Sequence, residues 1–329
     1  MIITKTPFRI SFAGGGSDLP SFYRREPGAV LSTSIDKYMY IAIHPFFNQG
    51  DIQLKYSKTE MVSSIEDIKH PIFREILSKY NLTGVDINSI ADIPAGTGMG
   101  SSSSFTVGVL NAVRAFEGKY SSASKLAEEA CDIEMNRLAQ PIGKQDQYAA
   151  AFGGLNFITF YPDETVRVEK ILIQPDVKAQ LEKNLMLVYV GGEHSANEIL
   201  QQQAKATTSS DDKFLAQRRM VKLANDLRVA LQENKIDDFG SFLHEGWLLK
   251  RSLTNGISNG LIDTIYNKGM EAGALGGKLL GAGGAGFLLF YCPEQKQQEF
   301  KEQMNGYRFL NFGFDNFGSQ VIYVGDKNF

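Results

Sequence analysis

The sequence predicts an α+β fold in two halves. Strand-like and amphipathic helical stretches alternate in mixed order, without a regular strand–helix–strand repeat. The chain has 329 residues, which at roughly 150 residues per domain suggests two domains. Its 32 glycines cluster at 14–16, 96–100, 153–154, 191–192 and 273–286, and clustered glycine marks backbone that turns tightly or approaches something closely.

The elements read as follows. Residues 1–12 form a strand entering Gly14-Gly15-Gly16, and Ala29–Ser34 and Tyr38–Pro45 are β-rich strands. Ile52–Tyr56 and Val85–Ile90 read as strands, with a helix at His70–Tyr80 between them. In the segment beginning at Ser101, Phe105, Val109, Ala112, Val113 and Phe116 share one helical face, and the leading serines suit an N-cap. Ser122–Leu138 is a second helix, Tyr148–Phe152 a short third ended by Gly153-Gly154, and Leu155–Tyr161 a strand. The polar stretch Val166–Pro175 places a domain boundary. Beyond it come a strand (Leu185–Val190) and four helices: Ser195–Ala206, Lys213–Glu233, Asp237–Leu253 and Asn259–Ala272. A glycine loop (Gly276–Gly286), a strand (Phe287–Tyr291), a helix (Pro293–Met304) and a last strand (Ser319–Val324) complete the chain.

Composition excludes several classes. With 34 basic and 37 acidic side chains the net charge is −3, which argues against nucleic acid or an anionic membrane as partner. Cys131 and Cys292 are too few for a disulfide framework or a four-cysteine zinc site. No apolar run suits a signal peptide or a membrane span, so a cytoplasmic location is expected. His44, His70, His194 and His244 lack metal-ligand spacing. Cys131 and Trp247 read as packing residues.

Among the glycine motifs, Gly281-Ala-Gly283-Gly-Ala-Gly286 matches GxGxxG. It runs into a strand, not a helix, so it lacks the helix N-terminus a dinucleotide pyrophosphate needs. A nicotinamide dehydrogenase would rest on this match alone. Gly277-Lys278 is no Walker A either, because Leu279 follows and Ala272 stands where the first glycine belongs. Pro94-Ala-Gly96-Thr-Gly98-Met99-Gly100-Ser101-Ser102-Ser103-Ser104 is the stronger case. It joins a strand to a helix, its glycines let backbone N–H groups curl round an anion, and the helix dipole favours negative charge. The hydroxyls suit phosphate oxygens or magnesium.

Arg9 and Asp18 bracket the first glycine cluster, which suits either a solvated edge or a small polar ligand. Glu134 borders the apolar face of its helix, where a carboxylate needs a partner: Arg137 in an ion pair, or a metal. Lys144 and Asp146 project from Pro141-Ile-Gly-Lys-Gln-Asp-Gln147, which could be only a helix cap.

Taken together, these fragments resemble the GHMP kinases. A substrate loop near the N-terminus, the 94–104 phosphate loop, the glycine-flanked aspartate of GKQDQ and the C-terminal LLGAGGAGF occur in the family's order. The resemblance implies a two-domain fold, with a ribosomal protein S5 domain 2-like N-terminal domain (1–172) and a ferredoxin-like C-terminal domain (173–329). It implies that Asp146 accepts or orients the substrate hydroxyl proton and that Arg9 sits near the γ-phosphate. Pro94, Gly96, Gly98, Met99, Gly100, Ser101, Ser102 and Ser103 would hold ATP, and Ser102 and Glu134 would hold Mg²⁺. Gly15, Gly16, Ser17 and Asp18 would contact the sugar. AGGGSDLP differs from the galactokinase pattern and looks like the branch with heptose-phosphate kinases and fucokinase, which implies a small sugar phosphate as substrate. Arg24, Arg25, Lys37 and Lys278 are candidates for its phosphate, and a homodimer stays open. A non-catalytic sugar or nucleotide sensor is the alternative of another class.

Overall fold

A computed structural model describes residues 1–48, 50–192 and 196–325. Among the described residues the strands form two sheets, one of nine strands and one of four. The first is organised by its two longest strands, β1 (Ile2–Ala13) and β2 (Gly28–Pro45), which pair antiparallel along most of their length. The two strands expected at 29–34 and 38–45 are this one strand. The polar break between them is a bulge at Asp36-Lys37, where the register steps from Tyr38 opposite Pro7 to Ile35 opposite Phe8.

The other edge of β2 is shared. Three short strands extend the sheet beyond it, β3 (Ile52–Lys55), β4 (Thr59–Val62) and β5 (Val85–Ala91), in the order β2-β5-β3-β4. β5 pairs with the second half of β2, and β6 (Leu155–Phe160) pairs with the first half. β7 (Val166–Lys170) pairs with β6, so the polar stretch read as a boundary starts as an edge strand.

β8 (Leu185–Gly191), β9 (Gly276–Leu279), β10 (Gly286–Tyr291) and β11 (Arg308–Leu310) form the second sheet in the order β11-β8-β10-β9. The expected glycine loop at 276–286 therefore opens as a strand. Sheet membership does not follow chain order. β12 (Phe314–Asp315) pairs with β2 and β13 (Gln320–Val324) pairs with β1. The last strand, expected in the second half, completes the first sheet because the outer edge of Ile2–Lys5 is open to it.

From Phe8 to Ala13 every β1 residue is buried, so both faces of the strand are covered. The Ser101–Phe116, Gln145–Phe152 and Asp211–Gln232 helices pack on β1 and β2, and the Phe239–Arg251 helix packs on β1 and on β9 and β10 of the second sheet. The main core runs through both halves, taking in Phe8, Ile10 and Leu110 together with Leu227, Leu243 and Leu289. A second cluster centres on Trp247, Tyr266, Phe290 and Phe300 beneath the small sheet. The polar run 207–212 does not separate its flanking helices: Ala196–Ser209 and Asp211–Gln232 abut at Ser210, whose hydroxyl caps the second by accepting from the Lys213 N–H.

Candidate active site

A cleft of about 210 Å³ lies where the two halves meet. Its floor is the junction between β5 and the Ser101–Phe116 helix. The helix is capped by Gly100 in the left-handed region at φ 72°, with no side-chain cap. The serines are therefore not the N-cap. They occupy the first helical turn, and three of their hydroxyls bond to other segments: Ser104 donates to the Pro7 carbonyl at 2.8 Å, while Ser102 and Ser103 donate to Glu134 at 3.2 and 2.9 Å. A Cβ on Gly100 would sit 3.3 Å from both Arg9 and Asp146. This is a close approach of backbone to the Arg9 and Asp146 side chains, and at that φ it favours glycine.

Arg9 projects from the buried stretch of β1 and is 4% exposed. Its Nε and Nη2 donate to the two carboxylate oxygens of Asp146 at 2.7 and 2.8 Å, and its Nη1 donates to the Gly98 carbonyl at 2.6 Å. The bidentate fork fixes the plane of the Asp146 carboxylate, whose side chain stays 25% exposed toward the cleft. The Arg9 N–H donates to the Met99 carbonyl at 3.1 Å, tying the phosphate loop to the strand.

Asp146 opens the Gln145–Phe152 helix, and its two neighbours serve the other acidic residues. Gln145 donates to Asp18 from its backbone N–H and its side-chain amide, both at 3.2 Å. Gln147 donates to Glu134 at 2.6 Å. One helical turn thus holds Asp18, Arg9 and Glu134 in fixed relation. The loop before it fits only because residue 143 is glycine: a Cβ there would lie 1.9 Å from Asp18 Oδ2. Gln145, Gln147 and Gly143 have roles that the sequence motif contained and that its reading as a cap passed over.

Asp18 is 2% exposed and also accepts from the Gly16 N–H at 2.9 Å. Burial, followed by the nearby Asp146 carboxylate, pushes its pKa up to about 6. Gly15 and Gly16 line the cleft beside it. Ser17 does not: its hydroxyl is buried against the Gly14 and Ala29 carbonyls and holds the turn.

Glu134 is wholly buried and sits in a π-helical stretch, Asp132–Arg137, that continues the Ala123–Cys131 helix. Arg137 is not its partner; that guanidinium pairs with Asp132 at 3.0 Å. Glu134 instead accepts from Ser102, Ser103, Gln147 and Thr106, the last at 2.9 Å. Burial pushes its pKa upward, and those four donors oppose the shift.

The remaining candidates divide clearly. Gly96, Gly98, Gly100, Ser101, Ser102 and Ser103 line the cleft. Pro94 and Met99 do not: Pro94 lies exposed at the start of the turn, where its carbonyl takes the Thr97 hydroxyl at 3.0 Å, and Met99 is buried beneath the loop. Of the basic residues considered for a substrate phosphate, Arg24 pairs with Glu164, Arg25 lies over the Phe214 ring, and Lys37 bonds Asp36, all away from the cleft lining. Lys278 lines the cleft, and so does Lys250, which no sequence signal singled out. His70 caps its helix and His244 bonds the Tyr266 hydroxyl, whereas His194 lies outside the described residues. Trp247 is fully buried against Tyr266.

A glycine cradle opening a helix, an arginine forked onto a carboxylate beside it and a second polar turn across the cleft are parts that suit phosphoryl transfer. The family models agree. The GHMP kinases N terminal domain matches residues 67–154 and the GHMP kinases C terminal domain matches residues 227–308, together just over half of the chain. The chain belongs to the GHMP kinase family.

Among known proteins, the chain is 28% identical to the D-glycero-alpha-D-manno-heptose 7-phosphate kinase of Campylobacter jejuni, over 90% of this chain and 91% of that one. It is 26% identical to the bifunctional fucokinase/GDP-fucose pyrophosphorylase of Arabidopsis thaliana, over 91% of this chain but only 30% of the plant protein. The crystal structure of a D-glycero-D-manno-heptose 1-phosphate kinase from Bacteroides thetaiotaomicron superposes with a TM-score of 0.81 at 25% identity, covering 99% of this chain and 100% of that one. Among the described residues, no helix is long and apolar enough to cross a membrane.

Proposed function

We propose that this chain transfers the γ-phosphoryl group of ATP to a sugar hydroxyl, the anomeric hydroxyl of D-glycero-D-manno-heptose 7-phosphate. The observation that carries this reading is the Arg9–Asp146 fork at Gly100, set between a phosphate cradle and the Asp18 turn. The similarity to the heptose 7-phosphate kinase over nine tenths of both chains supports the sugar. The fucokinase similarity keeps L-fucose as the second acceptor to test.

In this reading the 96–103 backbone and helix N-terminus bind the nucleotide phosphates. Asp146, held in plane by Arg9, accepts or aligns the hydroxyl proton, and Arg9 adds positive charge beside the transferring group. Asp18 accepts hydrogen bonds from sugar hydroxyls. Mg²⁺ would be held first by the Ser102 hydroxyl, which lines the cleft, and the buried Glu134 Oε1 behind it would join only by giving up the hydrogen bond from Ser102. A magnesium ion held there would supply positive charge to the nucleotide phosphates.

The test is coupled ADP release with purified protein against heptose 7-phosphate, heptose 1-phosphate, L-fucose and galactose. Turnover with heptose 7-phosphate well above the others is expected. ATP binding with no sugar-dependent ADP release across the panel would favour a sensor instead.

A further inference from the structure

Two lysines enter the cleft from the second half with no ion-pair partner among the described residues. Lys250 lies near the end of the Phe239–Arg251 helix and Lys278 lies in β9; each is 6% exposed. Lys250 Nζ donates to the carbonyls of Leu279, at 3.3 Å, and Gly281. Lys278 Nζ donates to the Phe12 carbonyl at 3.1 Å. Among the described residues neither ammonium forms an ion pair, whereas the Arg9 charge is matched by Asp146. Carbonyl oxygens satisfy hydrogen-bond donors but leave the charge uncompensated, and an uncompensated buried cation is costly.

Their carbonyl partners locate the pair. Gly281 touches Gly98 of the phosphate loop, and Phe12 lies two residues before the Gly14 turn. The two ammonium groups therefore span the space between the phosphate cradle and the Asp18 turn. Arg9, Asp146 and Asp18 are the other charged groups on the cleft wall. Burial, then the nearby Arg9, pushes the Lys250 pKa down to about 7. Burial, then Lys250 and Arg9, pushes that of Lys278 well down. Both lysines are thus built into surroundings that an arriving anion would relieve.

We propose that Lys250 and Lys278 form a site for a phosphate dianion between the phosphate cradle and the Asp18 turn. Two sources share this chemistry: the terminal phosphate of the nucleotide, or a phosphate carried by the substrate. The assignment rests on the phosphoryl-transfer reading for the source of the dianion, not for the existence of the site.

The probe is inorganic phosphate, titrated by calorimetry into the full chain saturated with ADP and Mg²⁺, and separately into the chain saturated with a non-hydrolysable ATP analogue. Wild type is compared with Lys250→Met and Lys278→Met, which keep much of the apolar stem and remove the charge. Both variants should fold and melt within a few degrees of wild type, since removing a poorly compensated ammonium offsets the loss of its hydrogen bonds to buried carbonyls, and either one alone suffices for the comparison. With ADP bound, phosphate affinity should fall roughly 10- to 100-fold in the variants, the usual effect of losing one charged donor. Loss of phosphate binding in the analogue-bound wild type assigns the site to the nucleotide's terminal phosphate. Retention assigns it to the substrate's own. No phosphate binding by the ADP-bound wild type, or equal affinity in wild type and variants, overturns the proposal. No sugar enters these titrations, so a wrong acceptor sugar would show only in the turnover panel.

Discussion

Gly98 of the phosphate loop and Gly281 of the β9–β10 connection pack backbone against backbone: a Cβ built on Gly281 would lie 2.4 Å from the Gly98 Cα. The contact joins the two halves at the floor of the cleft, so the shape of the nucleotide cradle depends on residues nearly two hundred positions away. Gly281 also has φ +73°, where an L side chain is strained. Gly281→Ala should destabilise the protein by about 1–3 kcal/mol and raise the KM for ATP more than that for the sugar. Thermal melting and separate KM measurements check it; an unchanged KM for ATP would show that the contact does not shape the cradle.

Glu134 and Ser102 separate structural from ionic roles. Glu134→Gln puts an amide N–H₂ where four donors converge, leaving at least one without an acceptor. We expect a loss of about 1–3 kcal/mol and a lower melting temperature. Ser102 is exposed, so Ser102→Ala should melt near wild type while needing several-fold more Mg²⁺ for half-maximal turnover. Equal Mg²⁺ requirements in Ser102→Ala and wild type would remove Ser102 from the metal site.

Asp18 makes stability and activity move oppositely with pH. Its folded-state pKa, about 6, lies above that of an unfolded aspartate. The folded state therefore binds its proton more tightly, and stability from this group falls as pH rises between about pH 4 and pH 7. The change is on the order of 3 kcal/mol, and Asp18→Asn should lack it in denaturant titrations across that range. Sugar kcat/KM should instead fall below about pH 6 as the carboxylate that accepts hydroxyls becomes protonated. A kcat/KM profile with the same acidic limb in Asp18→Asn would assign that limb to another group.

Much of this site was legible because its residues are close in sequence to motif glycines. Gly96–Ser103, Asp18 and Asp146 stand beside turns whose chemistry is local. The partner of Glu134 was not legible: an i+3 arginine is the near choice on an α-helix, but the helix goes on as a π-helical stretch and the donors come from the Ser101–Phe116 and Gln145–Phe152 helices. Lys250 gave no sign, since a lysine in the last turn of a helix usually answers the helix dipole in solvent. β13 was visible as a strand, but its place on β1 is a pairing across the whole chain, and local pattern does not encode it.

In the proposed reaction Asp146, held by Arg9, handles the proton of the acceptor hydroxyl. Asp146→Asn keeps the shape, retains one acceptor oxygen for Arg9 and removes the carboxylate charge. On the best sugar substrate of the wild type, we measure kcat and the KM for ATP. We expect kcat to fall roughly 10²- to 10⁴-fold, the range for losing a general acid–base group, with KM for ATP within a few-fold. Turnover near that of wild type would contradict it.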